Sequence, residues 1–158
     1  MFQPCCRVLV LLVFAFIAGA ASAQANAAAD PRGRWITASG NLEVEIAACG
    51  AALCGTVTRV LGNRSMEAGS GEMKAVDERP ALGMKLLSEF VASDGEQAWA
   101  GQIYNRENGK TYRCRMSLST AADSAGALVL RAYVGIPLFG KTQLWRRAAV
   151  DVSGTSPR

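Results

Sequence analysis

Eight short segments of this chain alternate apolar and polar residues with a period of two, and no long helical pattern interrupts them. The segments are Arg34 to Ala38, Leu42 to Ala48, Cys54 to Leu61, Leu82 to Val91, Gln97 to Tyr104, Lys110 to Ser119, Ala127 to Val134 and Thr142 to Ala149. Turn chemistry joins several of them: Ser39-Gly40-Asn41, Ser93-Asp94-Gly95, and Asn105 to Gly109 with its Asn-Gly step. Eight sequential antiparallel strands in about 115 residues fit an all-β, up-and-down barrel better than an open sheet, whose edges would need protection. A β-sandwich is the alternative.

The amino terminus has a different character. Arg7 precedes an apolar run from Val8 to Ala18, and small residues follow as far as Ala21-Ser22-Ala23. A run of eleven residues is far short of the roughly 20 that span a bilayer. The A-x-A triplet suits a signal peptidase. Residues 1–23 are therefore expected to be a cleaved signal peptide, and the protein to be periplasmic and not membrane-spanning. Residues 24–32 are expected to form a flexible leader, 33–149 the barrel domain and 150–158 a disordered tail.

Export makes cysteine pairing possible. Of five cysteines, Cys5 and Cys6 leave with the signal. Cys49 and Cys54 bracket Gly50-Ala51-Ala52-Leu53 between two strand segments, where a hairpin sets side chains opposite each other, and a disulfide is expected there. Cys114 alternates with Tyr112, Met116 and Leu118 and reads as a buried thiol.

The chain has no histidine, which excludes a Ser-His-Asp triad, a Cys-His pair and a His-ligated metal. No nucleophile and base pair can be named, no cofactor motif is present, and the chain is expected not to be an enzyme. The formal charge is +4, and removing residues 1–23 takes away one arginine. The basic residues are dispersed, Arg146-Arg147 being the longest block, so a nucleic-acid partner is not expected. Weak attraction to anionic lipid or polymer is compatible with the charge. Glu43 and Glu45 alternate with Leu42, Val44 and Ile46 and read as a solvated outer face rather than an acid–base pair.

Gly33-Arg34-Trp35 opens the first strand and Trp145-Arg146-Arg147 lies on the last. In a closed barrel these become neighbours, and Arg147 is expected to cover Trp35 in a cation–π contact of about 1 to 2 kcal/mol that closes one end. This pairing resembles the closing device of lipocalins. The resemblance extends along the chain: Gly33 to Thr37, Cys49 to Gly55, Arg79 to Gly83, Trp99 to Tyr104, Glu107 to Tyr112 and Tyr133 to Gln143 together resemble the bacterial exported family catalogued as domain of unknown function 2147. The resemblance implies a lipocalin-like barrel in a periplasmic protein, and carries over no catalytic residues.

Arg131 lies between Val129 and Tyr133, on a strand whose other face reads Leu128, Leu130, Ala132. Turned inward it needs a partner, either a ligand anion or a carboxylate of the chain; turned outward it is a surface residue. The connection Gly135 to Gly140 is apolar, which fits a plug over the barrel end, a hydrophobic portal or a docking patch. The longer connection, Gly62 to Ala81, is either a lid or a plain loop. The expected function is binding of a small apolar or amphipathic ligand, with Arg131 meeting its head group and Trp99, Tyr104, Tyr133 and Phe139 its tail. The alternative is a filled barrel acting through an envelope protein partner. Cavity volume discriminates the two.

Overall fold

The computed structural model describes residues 30–65, 71–93 and 97–149. The expected signal peptide, the leader up to residue 29 and the tail lie outside them. The described chain forms eight strands: β1 (Gly33–Ile36), β2 (Leu42–Cys49), β3 (Ala52–Val60), β4 (Lys85–Ala92), β5 (Ala98–Asn105), β6 (Lys110–Leu118), β7 (Leu128–Tyr133) and β8 (Lys141–Arg147). Each pairs antiparallel with the next, and β8 returns to β1 through Trp35↔Arg147 and Ile36↔Arg146, so the barrel is closed. Closure leaves no sheet edge exposed, which the alternation of eight short segments had required.

The period of two becomes an inner and an outer face. Val44 and Ile46 of β2, Val57 of β3, Leu87 and Phe90 of β4, Cys114 and Met116 of β6, Leu128 and Leu130 of β7 and Trp145 of β8 form the buried core with Trp35. A Cβ on Gly101 would lie 2.6 Å from the Phe90 ring. Glycine there lets the ring cross the barrel interior. β4 carries an irregularity between Ser88 and Val91, where Glu89 takes φ 59°, and Gln102 Nε2 donates to its carboxylate at 2.6 Å.

Three expectations change. Leu82 to Met84 is not strand: Gly83 has φ 79° and its N–H donates to the Val57 carbonyl, so β4 begins at Lys85. Glu43 is not solvated. It is 3% exposed, held on the outer face by Arg34 at 3.2 Å and Arg59 at 3.4 Å, while Glu45 is exposed. Flanking guanidiniums on β1 and β3 cover the carboxylate, a contact between strands that alternation along one strand does not encode. The final residues of the leader, Asp30 to Arg32, are built into the barrel: Pro31 is buried and its carbonyl accepts a 2.8 Å bond from Trp35 Nε1.

The disulfide expected from the hairpin spacing joins Cys49 to Cys54. Cys114 is the free cysteine among the described residues and is buried.

Candidate functional site

The two barrel ends differ. At one, Arg147 stacks on Trp35 and donates to the carbonyls of Asp30 at 2.9 Å and Arg32 at 3.0 Å. These bonds, with the Trp35–Pro31 bond, seal that end against water.

The opposite end opens into a cavity of about 1020 Å³. Its mouth is framed by four connections: β1–β2, the 61–84 loop, β5–β6 and β7–β8. Its inner wall is apolar, with Leu42, Leu86, Ile103, Ala132 and Trp145. Charge is confined to the mouth, at Lys74, Glu78, Arg106, Glu107 and Lys141. The division follows from solvation: an ion deep in the barrel would lose its water, whereas those at the loops keep it, and the inner wall's Gln143 is a neutral amide that accepts from Trp145 Nε1 at 3.1 Å.

The described parts of the 61–84 loop, residues 61–65 and 71–84, lie against the mouth and are tied at both sides. Asn41, 4% exposed, holds its start: the side-chain amide donates to the Arg64 carbonyl at 2.6 Å and the amide oxygen accepts from Arg64 N–H at 2.8 Å. Farther along, Val76 and Asp77 N–H groups donate to the Glu107 and Arg106 carbonyls. Ser65 Oγ also meets the Glu107 carboxylate at 2.5 Å. The loop is therefore a strap from β1–β2 to β5–β6.

Asp77 is the electrostatic centre of that strap. It pairs with Arg79 at 2.6 Å and accepts from the Tyr104 hydroxyl at 2.7 Å. Arg79 first, then Tyr104, hold its carboxyl well below the usual carboxylate range, and Asp77 in turn raises the Tyr104 phenol. Neither group changes charge near neutral pH, which makes this a structural tie and a poor proton carrier.

The five residues expected to meet a ligand are divided by the structure. Tyr104, Tyr133 and Phe139 line the cavity or its mouth. Trp99 does not: it sits near the sealed end, half-buried beside Leu53 and Phe90. Arg131 does not either. The inner face of β7 is Leu128, Leu130 and Ala132, so Arg131 lies outside. Its guanidinium donates to the carbonyls of Pro137 at 2.5 Å and Leu138 at 2.8 Å and to Thr142 Oγ1 at 2.7 Å. It clamps the apolar β7–β8 connection, which forms a 3₁₀ turn at Pro137–Phe139. A Cβ on Gly140 would lie 2.7 Å from the Ala132 carbonyl oxygen, so glycine permits this close seat. The connection is thus neither a plug nor buried.

Residues that sequence reasoning passed over include Trp145 on the inner wall and Lys141 at the mouth. The alternation Lys141, Gln143, Trp145 against Thr142, Leu144, Arg146 carries that information once Trp145 is known to face in.

A family model described as an uncharacterized protein conserved in bacteria (DUF2147) matches residues 33–147. Among solved structures, protein HP1028 from the human pathogen Helicobacter pylori, which belongs to the lipocalin family, is similar with a TM-score of 0.55 and 19% identity, over 77% of this chain and 84% of that one. That likeness is one of fold. No curated protein matches the chain.

Proposed function

Because the chain belongs to the bacterial DUF2147 family and folds as a lipocalin-like barrel, we propose that it is an exported, periplasmic protein that binds a small apolar or amphipathic ligand. The single observation that carries this reading is the cavity: about 1020 Å³, with a largely apolar inner wall and its charged groups at the mouth. An eight-stranded barrel either fills itself with side chains or holds one small ligand. Here Trp35, Phe90 and Met116 fill the sealed part, while the part bounded by Leu42, Leu86 and Trp145 is open. The apolar wall takes a hydrocarbon tail. Lys74, Lys141 and Arg106 take an anionic or polar head; Arg106 Nε is a buried donor without an acceptor among the described residues. This role falls to them in place of Arg131, whose donors are spent on its own loop.

Support for binding over catalysis comes from the same groups. The chain has no histidine, and Asp77 and Tyr104 are locked to each other and to Arg79. The filled-barrel alternative is disfavoured by the open cavity.

The test is a cavity-filling variant. Ala132 lies on the inner face of β7 and lines the cavity. Ala132→Trp should lower the affinity for an environment-sensitive fatty-acid probe by about tenfold or more, with Arg146→Gln, an exposed outer-face change on β8, as the control. Equal probe binding by wild type and Ala132→Trp would contradict an internal site.

A further inference from the structure

Basic residues that are dispersed along the sequence are gathered by strand register onto one side of the barrel. Strands β6, β7 and β8 together carry seven Lys and Arg and no Asp or Glu; of these Arg146 and Arg147 lie toward the sealed end and Lys141 lines the cavity mouth. Arg113 faces Tyr133 across the β6–β7 ladder, and Arg115 faces Arg131. Both rows lie on the outer face, since Cys114, Met116, Leu128 and Leu130 are buried. Arg131 satisfies its donors with neutral oxygens, so its charge is not cancelled.

The connection between β7 and β8 carries the most exposed large apolar side chains among the described residues. Val134 is 77% exposed, Leu138 74% and Phe139 81%. They stand on the β7–β8 connection at the open end, which has no charged residue and no buried one in its 3₁₀ turn. Exposing three large apolar side chains on one short connection is unfavourable in water unless a partner covers them. The Arg131 clamp holds the turn in this posture.

We propose that this side of the open end docks on an anionic lipid surface, with Val134, Leu138 and Phe139 entering the interfacial region and the outer-face Arg113, Arg115 and Arg131 meeting the headgroups. Two observations favour lipid over protein. The apolar group stands on a single short, exposed turn at the cavity mouth rather than on an extended face, and one short connection supplies far less area than the roughly 800 Å² per partner of a standard protein interface. A tip of apolar side chains backed by like-signed basic residues is the arrangement that a bilayer interface accepts. β6, β7 and β8 hold no carboxylate, Glu45 and Glu89 are on β2 and β4, and Glu78 and Glu107 stand across the cavity mouth on the 61–84 loop and the β5–β6 connection, so the docking side is the β7–β8 side of the mouth. Val134 and Phe139 also line the cavity mouth, whereas Leu138 does not.

Vesicle flotation tests the proposal. The purified protein should float with phosphatidylethanolamine vesicles containing about a third phosphatidylglycerol, and bind phosphatidylcholine vesicles about tenfold or more weakly. Replacing Leu138→Asp and Phe139→Asp together should cut binding to the anionic vesicles by about tenfold or more, and Arg113→Glu should weaken it in a salt-dependent manner. All variants share one amino terminus, so an apolar leader contributes equally to each. The substituted side chains are exposed, and unchanged near-ultraviolet circular dichroism confirms the fold; Val134→Ser provides a milder change at the same tip. Absence of binding to anionic vesicles, equal binding to neutral ones, or indifference to the tip substitutions would overturn the proposal. Leu138→Asp alone, at a residue that does not line the cavity, should weaken vesicle binding and leave the fatty-acid probe unchanged, which separates the surface from the cavity.

Discussion

The guanidinium carbon of Arg147 lies 4.3 Å from the centroid of the Trp35 ring, joining the last strand to the first. The contact is cooperative with closure, because Trp35↔Arg147 is also a register pair and Arg147 donates to two leader carbonyls. Arg147→Ala should therefore destabilise the fold by about 1 to 2 kcal/mol. Arg147→Lys, which keeps the charge and loses the fork, should recover part of that. Urea denaturation that found Arg147→Ala as stable as wild type would show that the stack contributes nothing.

Thiol chemistry follows from position. Cys114 is fully buried, and desolvation pushes its pKa up to about 12, so it should resist alkylation in the native state and react only on unfolding. Cys49 and Cys54 should be protected in both states until a reductant is added. The bridge closes a short loop, so its removal should cost about 2 kcal/mol. Peptide mapping that recovered an alkylated Cys114 from the native, unreduced protein would contradict the burial argument.

The strap has a pH window. The Asp77 pKa is lowered from its ordinary 3.8, so its contribution is present above about pH 4 and fades as pH falls from there toward the depressed folded value. The Tyr104 pKa is raised above 10.0, so its contribution is present below about pH 10 and fades as pH rises through the higher folded value. Between these limits the thermal stability difference between wild type and Asp77→Asn should be flat. It should shrink on acidification below about pH 4; a difference constant down to about pH 2 would rule out the assigned role of the carboxylate.

The barrel was legible because its information is local. Gly40, the Asn108-Gly109 step and the alternation in Leu42 to Ala48 or Lys110 to Ser119 each report a turn or a strand without reference to the rest of the chain. The Cys49–Cys54 bridge and the Trp35–Arg147 stack were also readable, since hairpin spacing and barrel closure determine them. The side of β7 that faces inward was not. Both of its faces are apolar apart from Arg131, and only pairing of Leu130 with Met116 and of Leu128 with Trp145 settles it. Trp99 was misplaced for a related reason: alternation gives the face of a strand but not the depth along the barrel axis. The burial of Glu43 depends on Arg34 and Arg59 from two other strands, and no pattern within β2 announces it.

Arg131 now makes a different prediction from that of a ligand anchor. Arg131→Leu removes the donors to Pro137, Leu138 and Thr142 and should loosen the β7–β8 connection. Amide exchange at Phe139 and Gly140, both donors within that turn, should rise by about tenfold. Affinities for anionic and neutral cavity ligands should change by the same factor. Selective loss of the anionic ligand would return Arg131 to the binding site.

The central claim is that the barrel carries a small molecule in the cavity bounded by Leu42, Leu86, Ala132 and Trp145. Native mass spectrometry of protein isolated from its own cells, followed by solvent extraction, tests it without a guess at the ligand. The account predicts a stoichiometric adduct with an apolar or amphipathic extract, reduced or lost in Ala132→Trp. An empty barrel from those cells, together with thermal stability unchanged by fatty acids, phospholipids and isoprenoids, would contradict it.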